Sequence, residues 1–407
     1  LQTLYGMADL FIIGQFNGVA STTAVSIGSQ VMHMITVMIV GIAMGTTVMI
    51  GKSVGAKQKK ETSKIIGNTV SLFVCLSVVL TVVLLFFVHP IVRIMSTPQQ
   101  AVEGTTAYLT ICFAGIPLIT AYNIISSIFR GLGDSKSPMY FIAVACGVNI
   151  VLDYVFIGGL HFGASGAALG TTLAQTISVI VALIALIAIR KKDTGISLKR
   201  SDLKPEGKTL KNILGIGIPI SLQDGFIQIS FIVITIIVNQ RGLNDAAAVG
   251  IVEKIISFVF LVPSSMLSAV SAIAAQNIGA GKDERAAKTL KYAVMISVTF
   301  GLCIAVIMQF ISNSVVGIFT SDAVVIYMGS QYIRSYIWDC MIAGIHFSYS
   351  GYFCAYGKSG ISFLHNVLSI VLIRIPGAYF ASKWFADTLY PMGCAAPVSY
   401  THLRAHE

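Results

Sequence analysis

Charge is what this sequence lacks most. Asp, Glu, Lys and Arg make up 11% of its 407 residues, against 55% hydrophobic ones, where an ordinary soluble chain carries about 25% charged residues. That scarcity excludes a soluble globular domain and implies a polytopic membrane protein. Acid is scarcer than base: 17 Asp and Glu stand against 27 Lys and Arg, for a formal net charge of +10. In so apolar a chain the excess points to basic cytoplasmic loops rather than to nucleic-acid binding. The seven Cys fall mostly inside apolar runs (Cys75, Cys112, Cys146, Cys303), with no CxxC pair and no His–Cys cluster. Neither a disulfide framework nor a metal site is expected. No nucleophile–base pair, His cluster or phosphate-loop motif is present, so an enzyme is not expected, nor a cofactor. The chain starts inside an apolar segment, Leu4 to Phe16, without Met and without a signal peptide. Its N-terminus is expected to be cut.

What the chain has instead is a succession of apolar runs, near 1–16, 24–50, 67–88, 105–129, 138–159, 165–189, 212–240, 247–273, 289–311, 330–356 and 361–385. A helix needs ~20 residues to cross a bilayer, and all but the first, partial run supply them. Basic residues sort between the runs. Lys52, Lys57, Lys59, Lys60 and Lys64 follow the second, Arg130 and Lys136 the fourth, and Lys282, Arg285, Lys288 and Lys291 the eighth. The densest basic stretch, Arg190 to Lys211, lies between the sixth and seventh, while 17–23 has no Lys or Arg. The positive-inside rule puts the basic loops in the cytoplasm, with the plasma membrane as the expected location.

The motif Gly55-Ala56 returns as Gly279-Ala280, a shift of 224 residues (279 − 55). The same shift carries Ala24-Val25 to Ala248-Val249, Tyr108 to Tyr332, Phe129 to Phe353 and Gly133 to Gly357. One ungapped shift over most of a half-chain marks an internal duplication, a common plan among secondary transporters. The expected fold class is therefore all-α and polytopic, with two six-helix lobes and about eleven of twelve transmembrane helices present. The first lobe is 1–190, its first helix truncated; the second is 212–397, its last helix missing; a basic cytoplasmic loop, 191–211, joins them. Residues 398–407 are polar where the repeat demands a helix, and are expected to be foreign to the fold.

Inside the fifth run, Asn149 and Asp153 stand i, i+4 and share one helix face. A carboxylate near the middle of a membrane span is expensive and usually marks an ion or proton path. The competing reading is a buried hydrogen-bonded pair that only joins helices.

Taken together, several stretches resemble the multidrug and toxic compound extrusion (MATE) family. They are Met7-Ala8-Asp9-Leu10-Phe11-Ile12-Ile13-Gly14, Gly55-Ala56-Lys57, Arg130-Gly131-Leu132-Gly133-Asp134, Asn149 to Asp153, and Gln276-Asn277-Ile278-Gly279-Ala280-Gly281. Singly the glycine motifs are weak; in this order and at these places they are specific. Within the family the chain looks like the branch of the DNA-damage-inducible F transporters. The resemblance implies cation-coupled export of organic cations by a monomer in the lipid bilayer, with H⁺ or Na⁺ as coupling ion. It also implies a first-lobe coupling site on Asp9, Asn123, Asn149, Asp153 and Thr171. Two buried carboxyls would repel, so one would hold a proton more tightly, and the amides and hydroxyl can bond either protonation state.

The repeat supplies an internal control. The partners of Asp9, Asn149 and Asp153 are Val233, Ile373 and Gly377, so the second lobe lacks the polar set. Structural glue required by the fold would be kept in both halves. The second lobe has other acids: Asp224, Glu253 and Asp339, with Tyr332, Tyr336 and Trp338 near the last. Asp224, Tyr336 and Asp339 are candidates for binding cationic aromatic substrates by charge and cation–π contact. Glu253 is equally readable as an interfacial partner of Lys254. Pro117, Pro219, Pro263 and Pro376 fall inside runs, as bends or static kinks. The alternative function is a lipid-linked oligosaccharide flippase. That would want cations facing the cavity, whereas Lys and Arg cluster in the loops, with Arg334 and Arg374 the main exceptions.

Overall fold

In a bilayer every backbone N–H and C=O must find a partner inside the protein, which leaves helices as the solution for apolar runs of this length. The computed structural model describes residues 2–191 and 199–395, and every regular element among them is helical. The basic residue Lys192 and the polar tail 398–407 lie outside the described residues.

Two compact units divide the chain, Leu1–Leu214 and Gly215–Glu407. The first holds α1 (Gln2–Phe16), α2 (Val19–Gly55), α3 (Lys59–Phe86), α4 (Val88–Ile94), α5 (Val102–Ala114), α6 (Ile116–Leu132), α7 (Lys136–Asp153), α8 (Gly163–Lys191) and the start of α9 (Gly207–Asn239). The second holds the rest of α9, then α10 (Leu243–Val259), α11 (Leu261–Gly279), α12 (Asp283–Gly317), α13 (Ala323–Tyr336), α14 (Asp339–Tyr356), α15 (Ser359–Ser369), α16 (Ile375–Trp384) and α17 (Tyr390–Ala395). Each unit buries its own apolar cluster, the first around Ile13, Ile39, Phe73, Phe113 and Ile157. The second packs around Val252, Ala305, Tyr332, Ile337 and Met392.

Among the described residues, eight helices are long and apolar enough to cross a membrane, or nine when α5 and α6 count as one span bent by 49°. The expected span 330–356 is not among them, because it breaks at Trp338 into α13 and α14 and carries Arg334 and Asp339. Proline explains several breaks. Pro117, Pro263 and Pro376 each sit in the first turn of a new helical segment, just after the α-helix is interrupted at Gly115, at Phe260 or by the π-helical turn ending at Arg374. There the missing N–H costs nothing. Pro219 alone of the four lies inside a continuous helix, α9.

The duplication holds down to individual hydrogen bonds. After α2, the amides of Ala56, Lys57 and Gln58 donate to Lys52, Val54 and Ser53. After α11, the amides of Ala280, Gly281 and Lys282 donate to Gln276, Ile278 and Asn277, the same three bonds shifted by 224 residues. Lys57 and Gly281 both adopt left-handed backbone, φ 58° and 68°. Gly133 and Gly357 likewise close α6 and α14 at φ 93° and 78°.

Part of the stretch expected as the basic inter-lobe loop, residues 199–206, docks on α3. Asn68 of α3 donates to the Asp202 carbonyl at 3.3 Å and accepts from the Glu206 amide at 2.6 Å. Ser71 donates to the Leu203 carbonyl at 2.6 Å, and Lys64 pairs with Glu206 at 2.7 Å. The Lys64 hydrogen bond holds the Glu206 carboxyl below its ordinary range. The unit boundary accordingly falls at Leu214, beyond the loop.

Candidate functional site

Helix α7 points its polar residues inward. Val151 and Tyr154 are exposed, whereas Asn149 and Asp153, one turn apart, are buried. Asp153 is the last residue before the backbone loosens into a π-helical turn, Tyr154–Gly159. Such turns insert a residue and recur at functional sites. Helix α1 packs against α7 and α8 and brings Asp9 to the same place, 2% exposed beside Asp153 at 0%. The two carboxyls stand near enough to share a hydrogen bond when one carries a proton.

Thr171 of α8 joins the group. Its hydroxyl donates to Asp9 Oδ2 at 3.1 Å, and Asn149 Nδ2 donates to the Thr171 oxygen at 3.5 Å. Next to it, Gly170 provides the space: a Cβ there would run into the Asp153 carboxylate. Four oxygens of the cluster are buried with no protein donor: Asp9 Oδ1, Asn149 Oδ1 and both oxygens of Asp153. Buried acceptors left unpaired are costly. A positive ion or a proton placed among them removes that cost.

A cavity of about 300 Å³ opens onto Asp9 and Thr171, lined also by Gln30, His33, Tyr108 and Gln175. Sequence reasoning passed over these four. Tyr108 was noticed only as a repeat partner of Tyr332, and the rest are isolated polar residues in α2 and α8 with no spacing to mark them. Of the five expected site residues, four are together. The fifth, Asn123 on α6, is buried, and its amide donates to the carbonyl of Ile119, a cavity-lining residue of its own helix, at 2.8 Å.

The second unit does not assemble Asp224, Tyr336 and Asp339 into one group. Asp339 lies within electrostatic reach of Tyr336. Asp224 neighbours Cys354, elsewhere in the unit. The charge touching Tyr336 is a cation, since Arg374 Nη2 donates to its hydroxyl at 3.5 Å. Glu253 keeps Oε1 buried without a donor, and Arg374, not Lys254, is the base within its electrostatic reach.

A family model described as MatE matches residues 1–155 and 219–380. The chain belongs to the MatE family. This MatE chain is 26% identical over 388 residues to the probable multidrug resistance protein YoeA of Bacillus subtilis (strain 168), covering 94% of this chain and 84% of YoeA. It is 25% identical over 391 residues to the multidrug export protein MepA of Staphylococcus aureus (strain NCTC 8325 / PS 47), covering 95% and 85%. Its fold matches that of a MOP superfamily transporter from Pyrococcus furiosus, with TM-score 0.90 at 24% identity over 98% of this chain and 88% of that one. The MatE chain is therefore an all-α, multi-pass membrane protein of a transporter family.

Proposed function

We propose that this MatE chain is a multidrug exporter that moves organic cations out of the cell in exchange for H⁺ or Na⁺, with Asp9 and Asp153 as the coupling pair. The names of its relatives, a multidrug resistance protein and a multidrug export protein, support the multidrug part. The observation that carries the coupling part is the set of four donor-free buried oxygens on Asp9, Asn149 and Asp153. An all-acceptor cluster of this kind has affinity for a proton or a small cation and none for an anion. Thr171 fixes one edge of it, and the cavity beside Asp9 and Thr171 gives the ion and a cationic substrate a shared approach. Competition for one buried negative charge is the simplest physical form of exchange: loading the ion discharges the substrate, and the reverse. The second unit, which has apolar residues at the equivalent positions, offers no such competition.

On this reading the basic loops are cytoplasmic, the membrane is the plasma membrane, and the working unit is a monomer. The test is efflux of a fluorescent organic cation from vesicles, with pH and Na⁺ gradients imposed separately. One gradient is expected to drive efflux in the wild type, and Asp9→Asn and Asp153→Asn are each expected to abolish it. Wild-type rates in either variant would remove the coupling role.

A further inference from the structure

The second unit buries a charge for which the paired-carboxylate reading has no use. Arg374 is 1% exposed and ends the π-helical turn Ile370–Arg374 between α15 and α16. Its guanidinium lies over the Phe231 ring, 4.3 Å from the centroid, and Nη2 reaches the Tyr336 hydroxyl. Nε and Nη1 are buried with no acceptor. A guanidinium is always charged and presents its donors as a rigid fork. Burying that fork with two arms unused is expensive. Glu253 is within electrostatic reach, with its own Oε1 unsatisfied, yet the two form no ion pair; among the described residues the ion pairs are Lys64–Glu206 and Arg241–Asp245. Each thus keeps polar atoms that the other does not serve, and a third group could satisfy them.

The repeat sharpens this. Shifted by 224 residues, Arg374 falls on Ile150, beside Asn149 and within a turn of Asp153. Equivalent helices of the two units thus each contain a π-helical turn next to a buried charge, acidic in the first and basic in the second.

We propose that Arg374 is an anion subsite of the second unit, which takes the carboxylate of an aromatic substrate while Phe231 and Tyr336 pack against its rings. The unused Nε–H shares an edge of the guanidinium with the second N–H of Nη2, and the two supply a side-on bidentate grip on a carboxylate, the geometry in which Arg binds most strongly; Nη1 keeps a further free donor. Glu253 sets the polarity beyond it: the rest of the molecule is neutral or cationic, because a second anion would be repelled. Arg374 is closed off in this state, so entry requires the unit to open, and in that respect the proposal rests on the exporter reading above.

The test is equilibrium binding by fluorescence polarisation to the purified full chain in detergent, with no gradient. The probes are rhodamine B, whose carboxyl is free, and rhodamine B ethyl ester, whose carboxyl is blocked. Arg374→Gln is expected to weaken rhodamine B binding by about tenfold or more and to change the ester by less than about twofold. Equal losses for the two dyes, or no loss for the free acid, overturn the proposal. Arg374→Lys keeps the charge and loses the fork, and serves if the Gln variant does not fold. In it the free acid is expected to weaken several-fold while the ester holds, and unchanged rhodamine B binding overturns the proposal equally. Asp9→Asn separates this from the transport reading: it is expected to stop export, and in its background Arg374→Gln is still expected to weaken rhodamine B more than the ester. If Asp9→Asn exports normally while the Arg374 dependence stands, only the coupling reading fails.

Discussion

The Thr171 hydroxyl spends its proton on Asp9 Oδ2, at 3.1 Å, and its lone pair on the Asn149 amide, at 3.5 Å. Asp9 Oδ2 is thereby fixed as an acceptor. Any proton the cluster takes up must sit on Asp9 Oδ1 or on Asp153, the oxygens that no protein group serves. Thr171→Val keeps the shape and removes this constraint. A hydrogen bond to a charged group is worth about 1.5–3 kcal/mol, so ion-driven efflux is expected to fall by about tenfold or more. Thr171→Ser restores the hydroxyl and is expected to recover most of the rate. A Val variant that pumps like the wild type would take Thr171 out of the site.

Gly170 makes a sign test possible. Glycine inside a helix is ordinarily worse than alanine by roughly 0.5–1 kcal/mol, so Gly→Ala usually stabilises. At Gly170 the added methyl meets the Asp153 carboxylate, whereas at Gly147, on α7, it meets nothing within 4 Å. Gly147→Ala is expected to raise the thermal midpoint in detergent. Gly170→Ala is expected to lower it and to stop efflux although both carboxyls remain. Equal and opposite behaviour of two chemically identical substitutions would locate the constraint at Asp153.

Much of the architecture was legible because it repeats. The 224-residue shift that matched Gly55-Ala56 to Gly279-Ala280 also matches their three capping bonds, although the left-handed residue itself differs, Lys57 against Gly281. Asn149 and Asp153 were legible because two polar residues one turn apart stand out in an apolar run. Their meeting with Asp9 joins residues 140 or more positions apart (149 − 9), and with Thr171 it crosses to the next helix; neither leaves a local pattern, and a family resemblance supplied both. Gly170 was hidden in a run of small residues, where packing is the ordinary explanation. Arg374 stood out from the loops as a cation inside a span, but only burial and the Phe231 ring gave it a place. The docking of 199–206 on α3 was invisible because its bonds run to backbone carbonyls and amides, which every sequence possesses.

The turn at Lys57 carries removable strain. Its backbone is left-handed at φ 58°, and the duplicated position is Gly281. A residue with a Cβ pays roughly 1–2 kcal/mol in that region, partly returned because glycine is more disordered when unfolded. Lys57→Gly is expected to stabilise by about 0.5 kcal/mol or more, and Gly281→Ala to destabilise by a similar amount. Thermal unfolding of the two variants checks both signs.

Asp134 starts α7, the helix that carries Asn149 and Asp153. Its Oδ1 accepts from the amides of Lys136 and Ser137 at 3.0 Å each, and its Oδ2 from the Ser137 hydroxyl at 2.5 Å. Partial burial works against the charge, but the Ser137 and Lys136 bonds outweigh it and hold the carboxyl below its ordinary range. A depressed carboxyl stabilises the folded state above its ordinary pKa, and that contribution fades as pH falls through the lowered value. Asp134→Ala is therefore expected to cost about 1 kcal/mol at neutral pH, typical of a lost cap. The difference from wild type is expected to shrink as the pH drops below about 4. A constant difference across that range would mean that the carboxylate charge contributes nothing.

Arg241 ties down the far end of the second unit. It pairs with Asp245 at 2.6 Å, and its guanidinium donates to the carbonyls of Ser382, Phe385, Ala386 and Thr388 at 2.8 to 3.3 Å. These four carbonyls belong to the chain leaving α16 and entering α17, where no helix satisfies them. One side chain thus replaces a whole turn of backbone bonding, and only a planar fork with several donors can do so. Removing it orphans four carbonyls and a largely buried carboxylate at once, and breaking a buried ion pair from one side costs about 3–5 kcal/mol. Arg241→Ala is expected to unfold the 385–395 segment or the unit. Arg241→Lys, with a single ammonium, is expected to recover the Asp245 pair but not the carbonyls, and so to remain clearly less stable than wild type. Limited proteolysis distinguishes the cases: new cleavage confined to 385–395 marks the staple, whereas wild-type resistance in the Lys variant would show that the ion pair alone holds the segment.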